Sequence, residues 1–205
     1  MKLFDNKIYL ASKSPRRREL LRQVGIDFEL LMLRSDSARG VDVSEEVLPG
    51  ESPEVYVARV AGEKAAFAYN VVQLRRMRPR PVLAADTTVS IDGDILGKPA
   101  DPDEAARMLE RLSGRTHQVL TCVAVHYANM AEQFTQVSQV RFATLTPAAI
   151  KAYCATNEPY DKAGGYGIQG LAALFVEHID GSHSGIMGLP IFETAKLLEK
   201  AGLTI

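Results

Sequence analysis

The stretch Val82-Leu83-Ala84-Ala85-Asp86-Thr87-Thr88-Val89-Ser90-Ile91, running on into Asp92-Gly93-Asp94-Ile95-Leu96, decides the class of fold. Its small and β-branched residues predict a strand over 82–91. Asp92-Gly93 is the dipeptide of a tight hairpin, so the chain doubles back through Ile95-Leu96. Upstream, Ile8-Tyr9-Leu10-Ala11 predicts a first strand, and Pro15 opens a helix directly after it. Ser52-Pro53 starts a long helix reaching about Tyr69, interrupted by Gly62. Downstream, Asp101-Pro102-Asp103-Glu104 starts a capped helix whose apolar face is Ala105, Met108, Leu109 and Leu112, closed by Gly114. Two strands of an antiparallel pair follow over 119–127 and 134–145, then a helix from Thr146-Pro147, a strand over 171–179 and a closing helix over 190–201. Prolines 15, 53, 102, 147 and 190 stand at first helical positions, where the missing amide has no partner to lose. Short apolar runs alternating with helix-like stretches predict an α/β (α+β) fold.

A chain of 205 residues buries a core without disulfides or a structural metal, and its length suits one domain. With 46% hydrophobic and 24% charged residues and a net charge of −1, it has no global attraction to nucleic acid or membranes. Arg75-Arg76-Met77-Arg78-Pro79-Arg80 is the one basic run, but no aromatic is interleaved, and it reads as a solvated loop. Any anion site must therefore be built from local charge. The apolar run Ile8–Ala11 is too short for a signal-peptide core, and no segment approaches a membrane span, so a cytoplasmic location is expected. Cys122 and Cys154 match no metal or redox spacing and read as buried, reduced thiols.

Four stretches carry chemistry. In Ala11-Ser12-Lys13-Ser14-Pro15-Arg16-Arg17-Arg18, arginines crowd the first turn of a helix, where the free amides already carry partial positive charge. A bound polyanion relieves that conflict, because amides and guanidinium forks both donate to phosphate. Asp86 ends an apolar strand segment, where α/β proteins present functional groups. It suits two roles, a ligand of Mg²⁺ or a base for an attacking water. Downstream of the same stretch, Gly97-Lys98-Pro99 returns an amine after the hairpin; the third stretch, the acidic Asp42-Val43-Ser44-Glu45-Glu46, precedes the long helix. The fourth stretch is Tyr160-Asp161-Lys162-Ala163-Gly164-Gly165-Tyr166-Gly167-Ile168-Gln169-Gly170. Its Gly165-x-Gly167-x-x-Gly170 spells a dinucleotide fingerprint, but no strand leads in and no helix follows, so a Rossmann site is rejected. A glycine-rich loop able to approach a nucleotide closely remains.

In this order, the four stretches resemble the Maf family of nucleotide pyrophosphatases over nearly the whole chain. The marks are Ala-Ser-x-Ser-Pro-Arg-Arg at 11–17, Ala-Asp-Thr at 85–87, Lys98-Pro99, Leu112-Ser113-Gly114 with His117 and Thr121, and Gly188-Leu189-Pro190. The resemblance implies a mixed sheet in two lobes around a nucleotide cleft, related to the inosine triphosphate pyrophosphatases. It implies a single domain over 1–205, hydrolysis of a nucleoside triphosphate at the α-phosphorus, and a divalent cofactor, Mg²⁺ or Mn²⁺. Carried over by position, Asp86, Glu45 and Lys98 are expected to be catalytic, with Asp86 and Glu45 as metal ligands. Ser12, Arg16, Arg17, Thr87, Lys162 and Gln169 are expected to bind substrate, and Arg16, Thr87 and Gln169 to govern its choice. The Asp161–Gly170 form resembles the branch acting on dTTP and UTP; 7-methyl-GTP or another modified nucleotide is the alternative. A nucleotide-binding regulator of septum formation with little turnover is the reading of a different class, and a homodimer follows from family habit.

Overall fold

The computed structural model describes residues 6–34 and 40–205. In chain order the elements are β1 (Lys7–Leu10), α1 (Pro15–Gln23), β2 (Asp27–Leu30), α2 (Pro53–Leu74), β3 (Val82–Ile91), β4 (Asp94–Leu96), α3 (Pro102–Leu112), β5 (Thr116–Tyr127), β6 (Met130–Phe142) and α4 (Pro147–Cys154). Three short 3-10 turns follow, then β7 (Val176–Asp180), α5 (His183–Ile186) and α6 (Ile191–Lys200). The strands form one sheet in the order β2-β1-β3-β5-β6-β7, with β4 on β3. β1 runs parallel to β2 and β3, and the remaining pairs are antiparallel. The mixed α/β architecture expected from the sequence is the one observed.

Local chemistry accounts for the boundaries. Asp92 and Gly93 both adopt positive φ, 56° and 83°, as a two-residue hairpin turn requires. Ser52, Asp101 and Thr146 each accept a hydrogen bond from the amide three residues on, which caps α2, α3 and α4. α2 buries Val57, Val60, Ala61, Ala65, Ala68 and Val72, a stripe at helical spacing that lies across β3 and β5. Gly62 belongs to that close approach: a Cβ there would stand 2.8 Å from Gln133 Oε1 of β6.

The core falls into three clusters, and β3 serves them all. Its even residues Val82 and Ala84 pack under α2, while Leu83 and Ala85 face the α1 and α6 side. Further on, Val89 and Ile91 join a third cluster with α3 and α4. Asp86, Thr87 and Thr88 stand between these packings and belong to none of the clusters. One edge of β3 pairs with β1 at Val82–Leu83 and with β4 at Val89–Ile91, so residues 84–88 have no strand partner on that side among the described residues. The polar segment and the opening in the sheet coincide.

The structure corrects several expectations. Leu171–Phe175 is a 3-10 turn, and the strand begins only at Val176. The Glu158 carboxylate accepts from Leu171 N and Ala172 N at 2.9 and 3.3 Å, and this local cap competes successfully with extension. β2 was not anticipated, α2 runs five residues past Tyr69 to Leu74, and β5 and β6 start earlier, at Thr116 and Met130. Both cysteines are buried and free. Among the described residues no helix is long and apolar enough to cross a membrane.

Candidate active site

A cleft of about 510 Å³ opens over the unpaired segment of β3. Seven lysines and arginines line it against three acids, although the whole chain carries −1. The local charge that the composition demanded is therefore assembled here. The volume lies in the range of small-molecule sites.

All nine residues singled out from the sequence line this one cleft: Ser12, Arg16, Arg17, Glu45, Asp86, Thr87, Lys98, Lys162 and Gln169. α1 contributes an N-terminus unlike those of α2, α3 and α4. Its cap residue Ser14 makes no side-chain cap bond, and Pro15 carries no amide proton. The first turn of α1, whose amides have no intrahelical acceptor, lines the cleft together with Arg16 and Arg17. Arg17 is fixed from three sides: Nε donates to the Gly188 carbonyl (2.7 Å), Nη1 to Ser12 Oγ (3.1 Å) and Nη2 to Thr87 Oγ1 (3.1 Å). Burial lowers its pKa and the nearby Asp86 charge works against that, but a guanidinium stays charged at any physiological pH. A fork held so firmly presents its remaining protons in fixed directions.

Asp86 lies at the cleft floor, 7% exposed. Its Oδ1 is 2.8 Å from Lys64 Nζ, and the same ammonium is 2.7 Å from Glu45 Oε1. Burial pushes the Glu45 carboxyl up, but Lys64, with Lys98 and Arg17, overrides this and holds it below the usual carboxylate range. Tyr56 Oη donates to the Glu45 carbonyl, which anchors the acidic loop to α2. The neighbouring Glu46 is tied through its carbonyl to Arg59 and does not line the cleft. Sequence reasoning missed Lys64. Its signal was present, since Lys64 falls on the apolar stripe of α2, four residues from Val60 and Ala68.

The opposite wall is the glycine-rich loop. Asp161 pairs with Arg16 (3.5 Å) and with Lys162, and Lys162 Nζ donates to the Glu158 carbonyl (2.7 Å). Gly164 N donates to the Gly97 carbonyl at 2.9 Å, which draws the loop against the Lys98 segment. A Cβ on Gly167 would stand 2.7 Å from Lys162 Cε, and one on Gly170 would stand 2.2 Å from Glu158 Oε2. These glycines make room for the loop's own side chains. Gln169 is exposed and makes no side-chain hydrogen bond among the described residues.

Behind the loop, Tyr166 Oη meets His117 Nε2 at 2.7 Å, and His117 Nδ1 is buried without a partner among the described residues. Burial holds the imidazole down at about 4. The sign follows from linkage: below an unfolded-state value near 6.5, the unfolded chain binds a proton that the folded chain refuses. Stability from this group is therefore complete above about pH 6.5 and is lost as pH falls towards 4, by roughly 3 kcal/mol. Urea unfolding from pH 7 to 4 should show this loss in the wild type, and His117→Gln should remove that increment. Equal slopes for the two proteins would take His117 out of the acid response.

A mixed sheet parted over a buried carboxylate and ringed by cations defines an α/β protein built to hold a polyanion. The chain belongs to the Maf-like protein family, whose family model matches residues 7–201. It is 53% identical over 203 residues to a dTTP/UTP pyrophosphatase of Aromatoleum aromaticum, covering 98% of each chain. A dTTP/UTP pyrophosphatase of Ralstonia nicotianae is 54% identical over 199 residues, covering 97% of this chain and 95% of that one. Among solved structures, a HAM1 protein from Coxiella burnetii matches with a TM-score of 0.51 at 16% identity, over 95% of this chain and 99% of that chain. That likeness is one of fold.

Proposed function

We propose that this single-domain chain hydrolyses dTTP and UTP to the monophosphate and pyrophosphate, with a divalent cation. The observation that carries the proposal is the buried Asp86 carboxylate at the floor of a cation-lined cleft. The names of relatives at about half identity support the substrate class.

The donor set fits the cofactor. Lys64 Nζ is a stand-in for a cation, since one positive centre already contacts Glu45 Oε1 and Asp86 Oδ1 at 2.7 and 2.8 Å. Among the described residues no third acid, histidine or cysteine joins them. Mg²⁺ suits such a site, because it takes one or two carboxylates and fills its shell with water and phosphate oxygens. When bound there, the cation would neutralise charge on the phosphate oxygens.

The chain's own residues supply the rest. Arg16, Arg17, Lys98 and Lys162, with the α1 amides and Ser12, hold the triphosphate. Asp161 gives up Arg16 and Lys162 to the incoming phosphates, one anion replacing another. Asp86 accepts a proton from water as the water oxygen bonds to the α-phosphorus. The bond from that phosphorus to the bridging oxygen breaks, and pyrophosphate leaves with its electron pair. Thr87 and Gln169 read the base.

Product analysis tests the reaction. dTTP and UTP should yield pyrophosphate and monophosphate, faster than dCTP, dATP or 7-methyl-GTP, and EDTA should abolish turnover. Orthophosphate as the first product would sink the mechanism.

A further inference from the structure

A chain of hydrogen bonds leads from Arg17 through Thr87 into the protein. Arg17 Nη2 donates to Thr87 Oγ1 at 3.1 Å, the hydroxyls of Thr87 and Thr121 lie 2.9 Å apart, and Thr121 Oγ1 donates to the Gly185 carbonyl at 2.7 Å. Thr121, on β5, sits opposite Thr87 in the sheet register and is 1% exposed, so no water completes its bonding.

The ends of this chain fix every proton in it. A guanidinium only donates and a carbonyl only accepts, while a hydroxyl has one proton and two lone pairs. Thr121 spends its proton on Gly185, so the contact between the threonines must use the proton of Thr87. Arg17 fills one lone pair of Thr87. What Thr87 has left is one lone pair and no proton.

We infer that Thr121 is a specificity-positioning residue, locking the Thr87 hydroxyl as a pure hydrogen-bond acceptor towards the cleft. A ligand group at Thr87 must then bring its own N–H or O–H. On a pyrimidine edge, N3 carries a proton in thymine and uracil and is bare in cytosine. The inference rests on the proposed dTTP and UTP reaction and adds the reason for its selectivity. It also separates Thr121, which touches no substrate, from Thr87, which reads it.

The test uses the full chain and compares wild type, Thr121→Val and Thr121→Ser on dTTP and dCTP, following pyrophosphate release. Valine keeps the shape but removes the acceptor for the Thr87 proton, which then becomes free to turn to the ligand. The ratio of kcat/KM for dTTP over dCTP should fall about tenfold in Thr121→Val, the scale of one mispaired buried group. Thr121→Ser, which restores the hydroxyl, should restore the ratio. A purely structural role would lower both substrates alike and leave the ratio unchanged; that outcome overturns the inference while the proposed reaction stands. Absence of wild-type turnover on dTTP overturns both. Thr121→Ala is read in the same way should circular dichroism show that the valine variant does not fold.

Discussion

Asp86→Asn lowers kcat by about 10²-fold or more while a non-hydrolysable dTTP analogue still binds, because general-base groups contribute on that scale. Asparagine keeps the outline of aspartate and one carbonyl oxygen, but it cannot take up a proton. Lys64 retains its second partner, since Glu45 Oε1 is 2.7 Å away. The ammonium is therefore not orphaned, and the melting temperature should change by no more than a few degrees. Steady-state pyrophosphate release, calorimetric binding and a thermal melt separate the three effects. Near-wild-type turnover would remove Asp86 from the chemistry, and loss of binding with turnover intact per bound substrate would make it a substrate ligand.

Lys64→Met has the second large effect, and it acts on stability before activity. Removing the ammonium leaves two carboxylates facing each other, with the Asp86 side chain 10% exposed and that of Glu45 45% exposed. Breaking a fully buried pair costs about 3–5 kcal/mol; solvent around Glu45 reduces this to about 2–3 kcal/mol. For a chain of this length that is on the order of 5–10 °C of melting temperature. Mg²⁺ should raise the melting temperature more in the variant than in the wild type, since in the wild type it must share the two carboxylates with the Lys64 ammonium. kcat/KM should also fall by about 10²-fold, because Asp86 loses the partner that aims it. If Mg²⁺ raises both melting temperatures equally, the cation does not sit between Glu45 and Asp86.

The elements with chemical punctuation were legible in the sequence. Ser52-Pro53, Asp101-Pro102 and Thr146-Pro147 each became a capped helix start, and Asp92-Gly93 became the hairpin turn. β2 was not, because Asp27-Phe28-Glu29-Leu30 is short, polar and largely exposed, and β1 recruits it at the sheet edge. Leu171–Phe175 misled because its apolar run matches a strand, while the deciding group, Glu158, lies far upstream. The candidate site was largely legible as motifs, and all nine residues line one cleft. Lys64 escaped because Glu63-Lys64 looks like an ordinary surface pair. Only the helical phase of its apolar neighbours places it inside.

The bond between Arg17 and the Gly188 carbonyl spans 171 residues. A ribosome adds about 5–20 residues per second, so Arg17 emerges roughly 9–34 s before the last of the three groups that orient it. During that interval the first helix can form and Ser12 and Thr87 are already made, but the guanidinium still lacks the partner of its Nε. The cleft is completed only once the segment around Gly188 has been made. A product terminated before Gly188 would keep the basic motif and lack one of the three bonds that aim the fork, so synthesis past Gly188 is itself a condition for the complete site.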